Sequence, residues 1–271
     1  MDTKLLVQNI TAIMHDNIPD EYKEILECYD LNDMDGNDHE MLFGLANELH
    51  DALPGKVFPD KIARLIIAIY EDVGETGDSN GWLNLGAIYY MGEFGKIDYA
   101  KAVYYYSKAA ALGNEVATEN LGYCYYYGRS IPVDYEKAFQ CFAKGAALGR
   151  LNSIYKLADM YSIGKYVAKD IATAGKLYRK CYKTLKKDFE KFDFKDRDVA
   201  ADICGRNGDT FFYGKGVDVD YRKALKYYQK SEFYFYEKIS NGDHYALKGL
   251  KYVTEKQAEA RAKIEAKLKL K

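Results

Sequence analysis

The chain has 271 residues, and its 39 lysines and arginines nearly balance its 41 aspartates and glutamates, for a formal net charge of −2. Such a chain has no general basic field to hold a phosphate backbone, so nucleic acid is not an expected partner. Only 4 prolines, with abundant alanine, leucine, lysine and glutamate, favour an all-helical fold. The 27 tyrosines exceed what helix propensity favours, so we expect them to serve packing or binding.

The sequence carries no predicted signal for secretion or membrane insertion. Residues 1–10 contain only a short apolar run, interrupted by Gln8 and Asn9, and no small-residue cleavage site follows. No stretch approaches the roughly 18 consecutive apolar residues of a membrane-spanning helix. The five cysteines lie at irregular positions, which fits free thiols in a reducing compartment. We therefore predict a cytoplasmic protein without a membrane partner.

Residues 1–79 predict an N-terminal helical cap that contains a degenerate repeat. Apolar residues recur at helical spacing in residues 1–30, which indicates one or two short helices. Residues 40–52 and 60–73 then predict a pair of helices. Terminal repeats of a helical array are expected to be atypical, because one of their faces meets water.

An acidic segment, residues 30–38, is similar to a calcium-binding loop until its ligands are counted. With Gly36 at the sharp turn of such a loop, the first and the closing ligands fall on Leu31 and Leu42. Neither side chain carries an oxygen. We therefore predict a solvated turn that caps the next helix, and no bound metal.

One pattern then occurs twice, 36 residues apart (121−85). The first copy is Leu85-Gly86-Ala87-Ile88-Tyr89-Tyr90-Met91-Gly92, and the second is Leu121-Gly122-Tyr123-Cys124-Tyr125-Tyr126-Tyr127-Gly128. An aspartate follows each copy at the same offset. A fixed period of this length is typical of a solenoid, in which each unit buries its apolar face by stacking on the next.

Each repeated residue type has a physical reason. Gly86 lacks a Cβ, so a neighbouring helix can approach its backbone closely. Gly92 stands where the first helix must stop, because glycine accepts the left-handed conformation that ends helices. Asp98 is a suitable N-cap for the second helix. The same roles are expected for their counterparts 36 residues later.

Two weaker copies follow the first two. The third ends at Gly164 and the fourth at Gly214, 50 residues later (214−164). The excess of 14 residues (50−36) falls in residues 186–200, which we interpret as an extended second helix and a longer loop. The four repeats then span residues 80–250, and residues 251–271 predict an amphipathic C-terminal capping helix.

This pattern resembles the Sel1-like repeat family, relatives of the tetratricopeptide repeats with a slightly longer unit. The resemblance covers roughly residues 80–250 and rests on Leu85-Gly86-x-x-Tyr89-x-x-Gly92 with Asp98-x-x-Lys101-Ala102, and on Leu121-Gly122-x-x-Tyr125-x-x-Gly128 with Asp134-x-x-Lys137-Ala138. It implies an all-α fold, a right-handed solenoid of antiparallel helix pairs that serves as a scaffold for other macromolecules. It implies no activity, because fold and function separate readily.

The resemblance also implies a concave, partner-binding side. In the second repeat Leu121, Gly122 and Tyr125 are expected to pack inward, which leaves another stripe of the same helix exposed on that side. Aromatic side chains with a polar tip suit a bound peptide or helix. The predicted partner-binding residues are Tyr90, Met91, Glu119, Tyr123, Tyr126, Tyr127, Tyr155, Asp159, Asp209, Phe212 and Tyr213. The alternative for each tyrosine is packing between repeats, and the sequence leaves both open.

We therefore predict a scaffold or adaptor that binds a peptide or partner protein in its groove and needs no cofactor. A first alternative is an immunity or regulatory protein that masks a toxin or effector, since Sel1-like chains occur in such roles. A second is a hydrolase of the β-lactam or cell-wall kind, suggested by a secreted, disulfide-rich branch of the family. The second is disfavoured: the four histidines form no ligand spacing, and no nucleophile motif is present. We predict no enzymatic activity.

Overall fold

The computed structural model describes residues 3–29, 39–52, 59–190 and 197–269. Within these ranges the chain forms thirteen α-helices and no strand, which confirms the all-α prediction. The chain divides into two compact units, Met1–Asp134 and Tyr135–Lys271. Among the described helices, none combines the length and the apolarity needed to cross a membrane.

In the first unit, consecutive helices pack on one another from α3 through α7. Its core contains fully buried aliphatic side chains such as Leu45, Ile66 and Leu85. The predicted acidic turn at residues 30–38 lies outside the described residues. The helices are α1 (Thr3–Met14), α2 (Asp20–Cys28), α3 (His39–Asp51), α4 (Asp60–Glu75), α5 (Ser79–Met91), α6 (Tyr99–Ala111) and α7 (Glu115–Tyr127).

In the second unit each helix again packs on the next along the chain. The helices are α8 (Tyr135–Ala147), α9 (Leu151–Ile163), α10 (Ile171–Glu190), α11 (Arg197–Tyr213), α12 (Tyr221–Ser240) and α13 (Ala246–Lys269). Helix α10 has 20 residues where α8 has 13, so the extended second helix of the third repeat is observed. The predicted loop that follows it lies partly outside the described residues.

The helix ends follow the repeat pattern. Gly92 adopts the left-handed conformation, with φ of 74°, and its N–H donates to the carbonyl of Ile88 at 2.8 Å. Asp98 then caps α6, because its side chain accepts the N–H of Lys101 at 3.0 Å. Both predicted roles are confirmed, and together they set where the two helices of a repeat end and begin.

The helices of a repeat approach each other at a glycine. A Cβ on Gly86 of α5 would clash with the ring of Tyr106 on α6, and a Cβ on Gly208 of α11 would clash with the ring of Tyr228 on α12. The two glycines occupy the same position of the first and fourth repeats. The ring of the second helix therefore lies directly on the backbone of the first, as predicted.

The five cysteines are free thiols, Cys124 and Cys141 among them. Cys181 and Cys204 are fully buried, and this burial raises the pKa of each thiol to about 12. A thiol with such a pKa stays protonated at neutral pH and is a poor nucleophile. These two side chains therefore act as small apolar groups in the core.

The Gly86–Tyr106 contact gives a first testable prediction. We expect Gly86→Ala to destabilise the protein by about 1–3 kcal/mol, because the added methyl group overpacks the helix pair. Gly44 is the matched control, since it also lies inside a helix, but its Cβ would sit at an ordinary 3.4 Å from the Tyr29 hydroxyl. Gly44→Ala should be neutral or stabilising by up to about 1 kcal/mol, from helix propensity alone. Urea denaturation of both variants measures the difference, and equal effects would contradict the packing argument.

Candidate partner-binding surfaces

Several predicted residues of the first unit meet near the C-terminal ends of α5 and α7. The rings of Tyr126 and Tyr127 contact each other edge-on at 4.9 Å between centroids, and Tyr127 stacks on Tyr123 at 6.3 Å. On α5, the Tyr90 ring contacts that of Tyr99 at 5.2 Å. These five tyrosines and Arg129, which joins them, are called the tyrosine surface below.

Arg129 connects the two groups of rings. It follows the turn glycine of α7, and its backbone N–H donates to the carbonyl of Cys124 at 3.0 Å. Its guanidinium carbon lies 4.7 Å from the centroid of the Tyr99 ring and 5.9 Å from that of Tyr127. Burial raises the pKa of the Tyr90 hydroxyl, and the neighbouring Arg129 opposes this shift. The arginine thus stabilises the arrangement of the rings by cation–π contacts.

Exposure differs along the predicted stripe of the first unit. Met91 is 64% exposed and Tyr127 is 48% exposed, whereas Tyr90, Tyr123 and Tyr126 are half-buried. Glu119 is only 3% exposed, so the expectation that it lies on an exposed stripe is wrong. The reason is that residues 117–119 are all buried, so this part of α7 is covered on several sides. Only the C-terminal end of α7 presents its rings to solvent.

In the second unit, Asp159 and Asp209 lie at the centre of a hydrogen-bonded network. Tyr178 donates its hydroxyl to Oδ1 of Asp159 at 2.5 Å. Tyr228 and Tyr252 donate theirs to Oδ1 of Asp209, at 2.9 and 2.7 Å. These side chains come from α9 to α13, so the network ties all five helices together.

Arg206 completes this network between the two carboxylates. Its Nε lies 3.3 Å from Oδ1 of Asp159, and its Nη1 lies 3.8 Å from Oδ2 of Asp209. Burial acts to lower the pKa of Arg206, but Tyr155 and Asp159 outweigh it and raise the pKa, so the guanidinium stays charged. Burial and then Asp209 raise the pKa of the Tyr228 hydroxyl, which therefore remains a donor. Asp209 is only 3% exposed, so the expectation that it lies on an exposed stripe is wrong, because Tyr228 and Tyr252 bind its carboxylate. A role of Asp159 in partner binding stays a prediction.

The aromatic residues predicted in the second unit are mostly packed. Tyr155 is 9% exposed and packs at 6.2 Å against Tyr178, and Phe212 is 8% exposed. The expectation that these two side chains are exposed is therefore wrong, because neighbouring helices cover them. Tyr213 is 50% exposed, and Lys256 of α13 lies over its ring at 5.4 Å. Packing between repeats, the alternative that the sequence left open, accounts for Tyr155 and Phe212.

A cavity of about 500 Å³ adjoins the network, between α11, α12 and α13. Its wall includes Asp202, Arg206 and Lys238, and Lys238 pairs with Asp243 at 3.2 Å. Burial raises the pKa of the Asp202 carboxyl, although Lys238 and Arg206 partly oppose the shift. Neither at this cavity nor elsewhere in the described part of the chain is there a group of three or more His, Cys, Asp or Glu side chains that could hold a metal ion.

Arg129, Arg206 and Asp202 were not among the residues predicted from the sequence. None of them belongs to the repeated pattern, and each stands at a position where the other repeats carry different residues. One signal was available for Arg206, since it lies three residues before Asp209 on the same helix, a spacing at which opposite charges meet. Arg129 gave a weaker signal as a cation that follows three tyrosines and a glycine.

The Asp209 contacts predict a large effect on stability. Asp209→Ala removes the acceptor of two tyrosine hydroxyls and one partner of Arg206. We expect a loss of about 2–3 kcal/mol, because buried donors left without an acceptor are costly. Asp218, exposed in the loop between α11 and α12, is the matched control, and Asp218→Ala should change stability by less than about 0.5 kcal/mol. Similar urea midpoints for the two variants would show that the network contributes little.

The raised pKa of Asp202 predicts a pH dependence. Because the folded chain holds the Asp202 proton more tightly than the unfolded chain, this carboxyl makes stability fall as the pH rises above the usual Asp pKa of 3.8 through the raised value. Asp202→Asn cannot titrate. We expect it to be more stable than wild type at neutral pH, and the gain to shrink as the pH falls towards about 4. Urea denaturation across this range measures the gain, with Asp218→Asn as control, and a gain independent of pH would refute the assignment.

Comparison with known proteins agrees with this architecture. The family model described as Sel1 repeat matches residues 83–114, 116–149, 151–181 and 206–231. A Sel1 repeat protein from Oxalobacter formigenes is 20% identical, with a TM-score of 0.63, over 92% of this chain and 96% of that one. The protective antigen c5321 of uropathogenic Escherichia coli, which displays an SLR fold, is 21% identical, with a TM-score of 0.58, over 82% of this chain. The match spans only 46% of c5321.

The immunity protein Pa5087 from Pseudomonas aeruginosa is 19% identical over 83% of this chain and 82% of that one, with a TM-score of 0.45. No curated protein matches the sequence. The four matched repeats show that the chain is built from Sel1 repeats, and the two solved structures share its α-helical solenoid fold.

Proposed function

We propose that the protein is an interaction module that binds a partner protein through the tyrosine surface of its first unit. Sel1 repeats generally mediate protein–protein interaction, and proteins built from them are typically non-enzymatic scaffolds. The observation that supports this particular surface is its combination of ordered rings with exposed area. Tyr127 is 48% exposed and Met91, next to Tyr90, is 64% exposed.

The physical chemistry of the rings favours binding. A tyrosine brings a large apolar face and one polar tip, and it loses little conformational entropy when it is covered. Here the rings are already held by one another and by Arg129, so less freedom remains to be lost on association. An exposed aromatic group of this kind is typical of the centre of a protein interface.

The second unit offers a different chemistry. Asp159 and Asp209 each already accept hydrogen bonds from tyrosine hydroxyls, and Arg206 lies between them. A partner would have to break these bonds to reach the carboxylates. We therefore assign partner binding to the first unit and a stabilising role to this network. The proposal includes a reducing, cytoplasmic location, which the five free thiols support.

Paired tyrosine substitutions test the proposal. We expect Tyr126→Ala with Tyr127→Ala to reduce partner capture by about tenfold or more, because aromatic residues at the centre of an interface carry much of its binding energy. The measurement is affinity capture from the native host, quantified by mass spectrometry, with circular dichroism to verify that helix content is kept.

The matched control replaces two exposed tyrosines of the second unit. Tyr236 is 58% exposed and Tyr245 is 93% exposed. Tyr236→Ala with Tyr245→Ala removes as much aromatic surface and should leave capture unchanged. Equal capture by wild type and the Tyr126/Tyr127 variant would refute this site, and loss in the control alone would transfer it to the second unit.

A further inference from the structure

The tyrosine surface carries one positive charge, and the first unit supplies no anion for it. Among the described residues, no carboxylate lies within ion-pair distance of Arg129. The Nε of Arg129 is also buried without any hydrogen-bond acceptor. The guanidinium contacts the rings of Tyr99 and Tyr127 and the hydroxyl of Tyr90. A guanidinium has five N–H donors, and the one on Nε has no acceptor among the described residues.

The third repeat provides a comparison at the same position. Lys165 and Tyr135 lie 36 residues after Arg129 and Tyr99 (165−129 and 135−99). The Nζ of Lys165 lies 4.2 Å from the centroid of the Tyr135 ring, and it also donates to the Tyr135 hydroxyl at 2.5 Å. The second and the third repeat thus each place a cation over a tyrosine of the repeat before it. Only the second repeat uses an arginine there, with a donor that the chain leaves without an acceptor.

The structure around Arg129 holds the guanidinium in place. The backbone is fixed by the bond from its N–H to the Cys124 carbonyl, directly after the left-handed Gly128. Two rings then restrict the side chain. A planar guanidinium presents parallel N–H groups that match the two oxygens of a carboxylate. An arginine held in place by neighbouring rings is therefore preorganised to pair with a carboxylate.

We propose that Arg129 is the anchor for a carboxylate of the partner, carried by an aspartate or glutamate beside an apolar or aromatic side chain. The inference rests on the proposed binding at the tyrosine surface and names the partner's chemistry there. The guanidinium of Arg129 favours contact with an anion, and the exposed side chains of Met91 and Tyr127 nearby favour apolar contact. Phosphate groups are typically recognised by clusters of arginines, and this surface supplies one arginine, which suits the singly charged carboxylate.

The test uses a library of random peptides displayed on phage, selected against the 271-residue chain. We expect wild type to enrich peptides with Asp or Glu next to an aromatic or apolar residue. Arg129→Glu should lose these peptides, with affinity at least tenfold lower, and should instead enrich peptides with Lys or Arg. Because a change of preference is a gain of binding, it cannot result from misfolding of the variant.

Lys165→Glu is the matched control, since it reverses a charge at the equivalent position of the third repeat. It should leave the selected peptides unchanged. Peptides without acidic residues, or acidic peptides that bind wild type and Arg129→Glu equally, would overturn the inference. So would tighter binding when the acidic residue of a selected peptide is replaced by phosphoserine, which would assign the site to phosphate.

The same selection separates this inference from the proposed function. Peptides lost with Tyr126→Ala and Tyr127→Ala but kept with Arg129→Glu would leave the tyrosine surface as a binding site and refute the carboxylate anchor. If no selected peptide depends on either substitution, or none is selected, both the surface and the anchor are refuted.

Discussion

The packing of a tyrosine ring on a bare helix backbone is the constraint on which the first and fourth repeats depend. In the first and fourth repeats the ring of the second helix occupies the space that a Cβ would fill on Gly86 or Gly208. This contact sets the distance between the paired helices. It also fixes the depth at which the tyrosine hydroxyl lies, and so determines which group of the first helix it can reach.

The residue after the packing position decides what that hydroxyl does. In the third and fourth repeats it is an aspartate, Asp159 or Asp209, and the tyrosine 19 residues later (178−159, 228−209) donates to its carboxylate. In the first repeat the equivalent residue is Ala87. The hydroxyl of Tyr106 in that repeat instead bonds to the side chain of Asn120, so the same packing geometry leads to different hydrogen-bond partners in different repeats. The network pairs Arg206 with Asp159 and Asp209 inside the second unit, whereas no carboxylate among the described residues pairs with Arg129.

The repeat period made the helix ends and the close helix contacts predictable. Gly92 and Asp98 have their roles because of local backbone geometry, which a residue type and its spacing reveal. The exposed stripe was predicted less well, since Glu119, Tyr155 and Phe212 are buried. Helical spacing within one repeat tells which residues share a face, but burial of that face depends on helices that are distant in sequence. Arg129 and Arg206 differ from one repeat to the next, so a search for repeated residues passes over them.

The contact between Tyr252 and Asp209 also bears on how such an array can change in length. Helix α13 packs on α12, and the hydroxyl of Tyr252 on α13 completes the same network that ties α9 to α12 together. Residues of this closing helix are thus matched to the repeat before it. A duplication that inserts a new unit directly before α13 must bring its own hydrogen-bonding group for Asp209, whereas duplication of an earlier repeat leaves this junction intact. The junction between α12 and α13 is therefore a place where a gained repeat would disturb existing hydrogen bonds.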